Sequence, residues 1–149
     1  MEQFDEKIDI KGILSSEGRY VGTTVGVSML PMIRSGKDVI VVDKKTERLK
    51  PYDVALYMRG DAYVLHRVLS VRENDYVIRG DNCYSDEYIS EDAVIGVLTG
   101  FFRGDKAVDL NGEKYLNYVR KRIKTYPSRK RLYAVRSFFR RIAKRIAGR

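Results

Sequence analysis

Two side chains, Ser28 and the only histidine, His66, carry the chemistry of a serine hydrolase. A serine hydroxyl is a poor nucleophile at neutral pH, so it needs a base within hydrogen-bond reach and donors for the developing oxyanion. An imidazole with a pKa of about 6.5 is largely neutral at pH 7 and can act as that base. The pair predicts acyl transfer to Ser28, provided that the fold brings the two side chains together.

The residues around Ser28 are typical of an exposed, rigid turn. Gly26 allows a tight backbone approach two residues before the serine, and Pro31 stiffens the chain three residues after it. Between them, Met29 is expected to pack beside the nucleophile. Taken alone, this stretch is also compatible with an ordinary turn.

His66 lies in a β-rich run, where alternation places it on the same face as Val64 and Val68. The imidazole is therefore expected among apolar groups. A lone histidine in such a position is usually a core residue, so its position alone does not indicate catalysis.

The joint pattern is more specific, because three motifs follow one another in order. Ser28 in its turn is followed by Leu65-His66-Arg67-Val68 and then by Arg79-Gly80-Asp81-Asn82. With the run 49–57, these motifs resemble the signal peptidase I family over about residues 20–100. The resemblance implies a serine endopeptidase that cleaves a leader, signal or similar peptide, with no cofactor and no metal.

The resemblance also implies a role for each matched residue. The endoplasmic-reticulum and archaeal branch of the family has histidine where the bacterial branch has lysine, so His66 takes the role of base and Ser28 that of nucleophile. Asp81 matches the acid that orients the imidazole, although a turn former before Asn82 is an equally good interpretation. A second acid of the same loop corresponds to Asp86 or Glu87, which the sequence does not separate.

Two features depart from the family pattern. Many members carry a side-chain hydroxyl two residues before the nucleophile, where this chain has Gly26. The backbone N–H of Ser28 would therefore have to supply more of the stabilisation of the oxyanion. From the polar start of the chain we also expect no N-terminal membrane anchor of the kind that the family has. A cytoplasmic peptide or protein substrate is therefore expected, with small residues at the cleavage site only as the resemblance implies.

The hydrophobic pattern predicts a mainly β body between short helical ends. We expect a helical segment over 1–18, a β peptidase-like domain over 19–112 and a basic helical tail over 113–149. The body is expected to be a curled antiparallel sheet or partly closed barrel of the signal peptidase and SOS-repressor type. The predicted strands fall in the runs 19–25, 38–43, 53–59, 62–72, 75–80, 93–102 and 106–110.

Composition limits the location and the chemistry. No stretch approaches the roughly 18 to 20 consecutive apolar residues that span a bilayer, so a cytoplasmic location is expected, with attachment to the membrane surface as an open alternative. A single cysteine, Cys83, excludes an internal disulfide and, with one histidine, leaves too few ligands for a structural zinc site.

The charge is concentrated at the C-terminus. Residues 114–149 hold 14 of the 29 lysines and arginines and no acidic residue, and Leu132, Val135, Phe139, Ile142 and Ile146 recur at steps of three and four. An anionic membrane surface or acidic partner is the favoured interpretation. Nucleic acid and simple packing on the body are the alternatives.

Two other classes of protein share parts of this pattern. A self-cleaving repressor of the SOS type needs a helix-turn-helix domain, for which about 20 residues before the body are too few, and it has a lysine base where this chain has His66. A catalytically inactive module that binds a peptide in the same groove is the main alternative, although nucleophile, base and Gly-Asp-Asn acid are all present.

Overall fold

The computed structural model describes residues 8–148, so Phe4, which contributes to the predicted N-terminal helix, lies outside the described residues. The chain divides into two compact units after Leu110. The first contains a short helix and a β-sheet, and the second contains two helices.

The sheet of the first unit has eight antiparallel strands and is open rather than closed. The strands are β1 Arg19–Thr23, β2 Val39–Lys44, β3 Val54–Arg59, β4 Ala62–Val71, β5 Asp75–Arg79, β6 Glu87–Ser90, β7 Val94–Arg103 and β8 Lys106–Val108. Along the sheet they follow the order β1-β2-β7-β3-β4-β5-β6, and β8 pairs with β7. The prediction of a mainly β fold with a short N-terminal helix and C-terminal helices is therefore confirmed.

Alternating and continuous apolar runs explain which strand faces are buried. In β2, Ile40 and Val42 are buried while their neighbours are partly exposed, as expected for a strand covered on one face. The first four residues of the central strand β3 are all buried. One core cluster consists of Leu49, Ala55, Tyr57, Val68, Tyr76, Ile78 and Val94.

The N-terminal helix α1 (Ile10–Glu17) begins and ends with strong local signals. The Asp9 side chain accepts a hydrogen bond from the Gly12 N–H at 3.0 Å and caps the first turn. Gly18 ends the helix in the left-handed conformation with φ of 75°. Leu14 is buried, and its Cδ1 would lie 3.1 Å from a Cβ on Gly96 of β7, so the helix packs against the sheet.

The hydrophobic pattern of the sequence does not predict the short strand β6. It pairs only with β5 among the described strands and alternates half-buried and exposed residues, with Glu87 and Ile89 more buried than Tyr88 and Ser90. A four-residue edge strand with so few apolar residues carries a weak sequence signal. The omission matters, because β6 presents Glu87 to the site described below.

The second unit consists of α2 (Glu113–Lys124) and α3 (Tyr126–Ala147). Pro127 lies in the first turn of α3, where its missing N–H costs no intrahelical hydrogen bond. Across residues 8–148 no helix combines the length and apolar composition that crossing a bilayer requires.

Candidate functional site

Ser28 lies in the loop that joins β1 to β2, residues 24–38, and buried interactions hold this loop. Asp38 is fully buried. Its carboxylate accepts hydrogen bonds from the Arg34 side chain at 2.6 and 3.0 Å and from the Arg34 backbone N–H at 2.8 Å. Arg103 of β7 donates to the Met32 carbonyl at 2.6 Å. The Gly36 N–H and the Ser35 hydroxyl each donate to the Thr24 carbonyl at 3.0 Å, which closes the loop.

The Gly-Asp-Asn motif holds the serine turn directly. The backbone N–H of Asn82 donates to the Ser28 carbonyl at 2.8 Å, and its side-chain Nδ2 donates to the Val27 carbonyl at 3.1 Å. Asn82 thus fixes two consecutive peptide units at the position of the candidate nucleophile. Two motifs more than 50 residues apart in sequence are in this way joined in space.

The atoms packed around Gly80 explain why the Gly-Asp-Asn motif begins with glycine. A Cβ at this position would lie 2.7 Å from the Ser28 carbonyl oxygen, 2.9 Å from His66 Nε2 and 2.7 Å from Cys83 Sγ. Real Cβ atoms do not approach other atoms so closely, so only glycine fits here without displacing a neighbour. The serine backbone and the imidazole therefore both lie against the same small residue.

His66 is buried in β4, but its Nδ1 side is polar rather than apolar as expected. Nδ1 lies 3.1 Å from the Tyr57 hydroxyl of β3 and 3.3 Å from Glu87 Oε1 of β6. Tyr57 also donates to Glu87 Oε2 at 3.0 Å, and the Arg59 guanidinium pairs with Glu87 Oε1. Side chains of β3 and β6 thus surround the Nδ1 edge of the ring.

These contacts assign the tautomer of the imidazole. Burial first, and then the charge of Glu87, raise the pKa of Tyr57 far above its usual range, so the phenol carries one proton. That proton is donated to Glu87 Oε2, which leaves the phenol oxygen and Glu87 Oε1 as acceptors toward Nδ1. Nδ1 therefore carries the imidazole hydrogen, and Nε2 keeps its lone pair on the side of Gly80 and Ser28.

The environment keeps this imidazole neutral. Burial lowers the pKa of His66 below its ordinary value of 6.5, and Glu87 opposes the shift while Arg59 adds to it. Burial also acts to raise the pKa of Glu87, but hydrogen bonds from Arg59 and Tyr57 outweigh it and lower that pKa. At neutral pH the site thus combines a neutral imidazole with an ionised carboxylate.

The structure corrects the role predicted for Asp81. Asp81 is buried and accepts two hydrogen bonds from Arg67, to Oδ1 from Nε and to Oδ2 from Nη2, both at 2.8 Å. His66 and Arg67 are neighbours in β4, so alternation directs their side chains to opposite faces of the sheet. Asp81 therefore pairs with the buried Arg67, and its charge influences the His66 pKa less than burial, Glu87 or Arg59 does.

Of the two remaining candidate acids, Glu87 takes the position beside the imidazole. Asp86 pairs instead with Arg79, at 3.0 Å between Oδ1 and Nη1. Sequence reasoning left this choice open because consecutive residues in a loop give no indication of which side chain faces inward.

A groove of about 1110 Å³ contains both candidate catalytic residues. Half-buried Ser28 and buried His66 line it with Gly26 and Met29, whereas Pro31 lies outside the lining. Met29 is buried, and its Sδ accepts a weak hydrogen bond from the Asp81 N–H at 3.5 Å, in keeping with a packing role. The apolar part of the lining includes Tyr20, Ile33, Ile40, Leu56, Val64 and Leu65.

A backbone donor is available beside the serine. The Ser28 N–H makes no hydrogen bond within the described part of the chain, so it is free to bind a developing negative charge. Gly26 is exposed and has φ of 92°, and it contributes no side-chain donor. Residues 8–148 also hold no cluster of three or more histidine, cysteine or acidic side chains that could bind a metal ion.

Sequence reasoning missed Tyr57, Arg59 and Cys83 as members of the site. Cys83 Sγ lies 4.0 Å from His66 Nε2, and burial raises the pKa of its thiol above its ordinary value. Tyr57 and Arg59 share one face of β3 by alternation, which is a signal in the sequence, but only strand pairing shows that this face meets His66. Ser28 Oγ and His66 make no hydrogen bond with each other in the described structure.

No family model matches the sequence, and no curated protein matches it.

Proposed function

We propose that this protein is a serine endopeptidase in which Ser28 is the nucleophile and His66 is the general base. The observation that carries the proposal is the close packing around Gly80. The Ser28 carbonyl and Nε2 of the neutral His66 imidazole both lie against this glycine, and both residues line one groove. The resemblance of the three motifs to the histidine branch of the signal peptidase I family supports the same assignment.

The mechanism begins when the Ser28 hydroxyl oxygen attacks a peptide carbonyl carbon while Nε2 of His66 accepts its proton. The tetrahedral intermediate then breaks its C–N bond, and the proton moves from Nε2 to the leaving amine. Water hydrolyses the acyl-enzyme by the same steps, with His66 again acting as base. The free Ser28 N–H stabilises the oxyanion in both halves of the reaction.

In this mechanism Glu87 and Tyr57 are positioning residues. They hold Nδ1–H, and the Glu87 carboxylate stabilises the imidazolium that forms while His66 carries the serine proton. Arg59 keeps Glu87 ionised. The acid that orients the imidazole in this mechanism is therefore Glu87 of β6, and not Asp81 of the Gly-Asp-Asn motif.

The substrate we propose is an extended peptide segment, such as a leader, that lies in the groove with apolar side chains against its lining. Small residues at the cleavage site follow from the family resemblance. We place the enzyme in the cytoplasm, where the free thiol of Cys83 persists.

The missing hydrogen bond between Ser28 Oγ and His66 favours a second candidate, a module that binds peptides in the groove without cleaving them. Catalytic hydrogen bonds are often long until substrate binds, so the same observation is compatible with the peptidase. Cys83 is a weaker nucleophile candidate, because its raised pKa keeps the thiol protonated near neutral pH.

The test is hydrolysis of a pooled peptide library at pH 7.5, read by mass spectrometry, together with labelling by a fluorophosphonate. The wild type should cleave and label, Ser28→Ala and His66→Ala should do neither, and Cys83→Ala should retain both activities. Peptide binding by the wild type without cleavage or labelling would establish the inactive module instead. Loss of cleavage in Cys83→Ala alone would identify the Cys83 thiol, and not the Ser28 hydroxyl, as the nucleophile.

A further inference from the structure

Helix α3 has an apolar face that no other part of the described structure buries. None of its residues is buried, and Phe138, Phe139 and Ile146 are between 60% and 70% exposed. Phe138 and Phe139 contact each other, with ring centroids 5.7 Å apart. The exposed aliphatic and phenylalanine side chains of the helix are Leu132, Val135, Phe138, Phe139, Ile142 and Ile146.

The geometry of a helix gathers these six side chains into one stripe. At 3.6 residues per turn they occupy a sector of about 120° of the circumference. The helix carries no acidic residue, and its basic residues lie outside that sector except for Arg131 near the N-terminal end. They are Arg129, Lys130, Arg131, Arg136, Arg140, Arg141, Lys144 and Arg145.

We infer that α3 is a membrane-surface helix that binds anionic lipid. In this arrangement the helix lies parallel to the bilayer, the six apolar side chains enter the boundary between headgroups and acyl chains, and the flanking arginines and lysines contact phosphates. Its 22 residues extend about 33 Å along the surface. The inference concerns binding alone and does not depend on the proposed peptidase activity.

The combination of faces favours a membrane over the other polyanion, nucleic acid. Phosphate backbones are bound through basic side chains, and the strength of that binding comes from charge. Such a complex would leave Phe138, Phe139 and Ile146 exposed to water. An anionic surface with an apolar interior, as a bilayer of anionic lipid provides, satisfies both faces at once.

The charge distribution also disfavours a second copy of this chain as the occupant. If two α3 helices paired through their apolar stripes, the flanking Arg136 and Arg145 of one copy would approach those of the other. No acidic residue on the helix compensates this repulsion.

The experiment measures co-sedimentation of the full chain with vesicles of phosphatidylcholine mixed with phosphatidylglycerol, and with vesicles of phosphatidylcholine alone. We expect binding to the anionic vesicles only, weakened by salt. The double variant Phe138→Ser/Phe139→Ser should bind at least about a hundredfold more weakly, because two large apolar side chains no longer enter the bilayer. Arg140→Gln/Arg141→Gln should bind about thirtyfold more weakly.

Matched controls come from exposed positions of the first unit. Tyr88→Ser removes an exposed aromatic side chain, and Lys37→Gln/Lys106→Gln removes two exposed charges, so both should bind as the wild type does. Ser28→Ala should also bind normally, which separates this inference from the peptidase proposal. Circular dichroism of each variant verifies that the helices are retained.

Three results would overturn the inference. The first is the absence of binding to anionic vesicles. The second is undiminished vesicle binding by Phe138→Ser/Phe139→Ser together with competition by duplex DNA, which would identify a purely electrostatic polyanion site. The third is a wild-type dimer in solution that this double variant dissociates, which would make a second copy the occupant.

Discussion

Gly80→Ala is the most direct test of the geometry that joins the serine turn to the imidazole. Gly80 does not have a positive φ, so alanine can adopt its backbone conformation and any effect must come from the added methyl group. That methyl would meet the Ser28 carbonyl oxygen at 2.7 Å and His66 Nε2 at 2.9 Å. The change therefore displaces both partners while the Ser28 hydroxyl and the His66 imidazole stay chemically unaltered.

The expected magnitude follows from these distances. Ordinary contact begins at 3.4 Å, so the Ser28 carbonyl must retreat by 0.7 Å, the difference between 3.4 and 2.7 Å. The backbone hydrogen bond from Asn82 and the contacts from Tyr57 and Glu87 resist this movement. Overpacking of this kind destabilises a protein by about 1–3 kcal/mol. A displacement approaching 1 Å at a reacting group lowers the rate by about a hundredfold.

The assay is the rate at which a fluorophosphonate phosphonylates the Ser28 hydroxyl with release of fluoride, and urea unfolding is measured in parallel. Gly100→Ala is the matched control, because the nearest atom to its added methyl is Val41 Cβ at 4.0 Å. We expect Gly80→Ala to react about a hundredfold more slowly while remaining folded, and Gly100→Ala to react normally. A wild-type rate in Gly80→Ala would refute the idea that this close approach sets the reactive geometry.

Three further predictions concern His66, Glu87 and Asp81. Glu87→Gln should lower the pKa of His66 further, because the carboxylate charge that raises it is lost; NMR titration of the single histidine measures this, and Asp86→Asn should leave it unchanged. Because burial lowers the pKa of His66, its contribution to the free energy of unfolding should be fully present above pH 6.5 and decrease as the pH falls toward the folded-state pKa. Urea unfolding at a series of pH values should show this loss in the wild type but not in His66→Gln, and equal slopes would contradict it. Asp81→Asn should cost about 3–5 kcal/mol of stability, because the buried Arg67 guanidinium then loses the carboxylate charge that it faces. Glu113→Gln, which breaks a pair with Arg120 in which both side chains are more than half exposed, should cost no more than about 1 kcal/mol, and a similar cost for the two variants would show that burial does not distinguish the two pairs.

The sequence by itself determined the class of fold and most of its elements. Alternation and short apolar runs predict seven of the strands, since period-2 patterns directly record which face of a strand is buried. Gly18 and Pro127 mark helix boundaries by their local conformational preferences, and they do so in the structure. The sequence also singled out Ser28 and His66, which one groove brings together.

Only the tertiary structure decided which side chains contact one another in the site. Strand pairing places Tyr57 and Glu87 at Nδ1 of His66, whereas Asp81 binds Arg67 on the opposite face of β4. No local pattern carries this information, because strands far apart in sequence meet through backbone pairing, and a one-residue change of register would exchange the two faces. The same holds for Gly80, whose need to be glycine comes from a close approach between chain segments more than 50 residues apart.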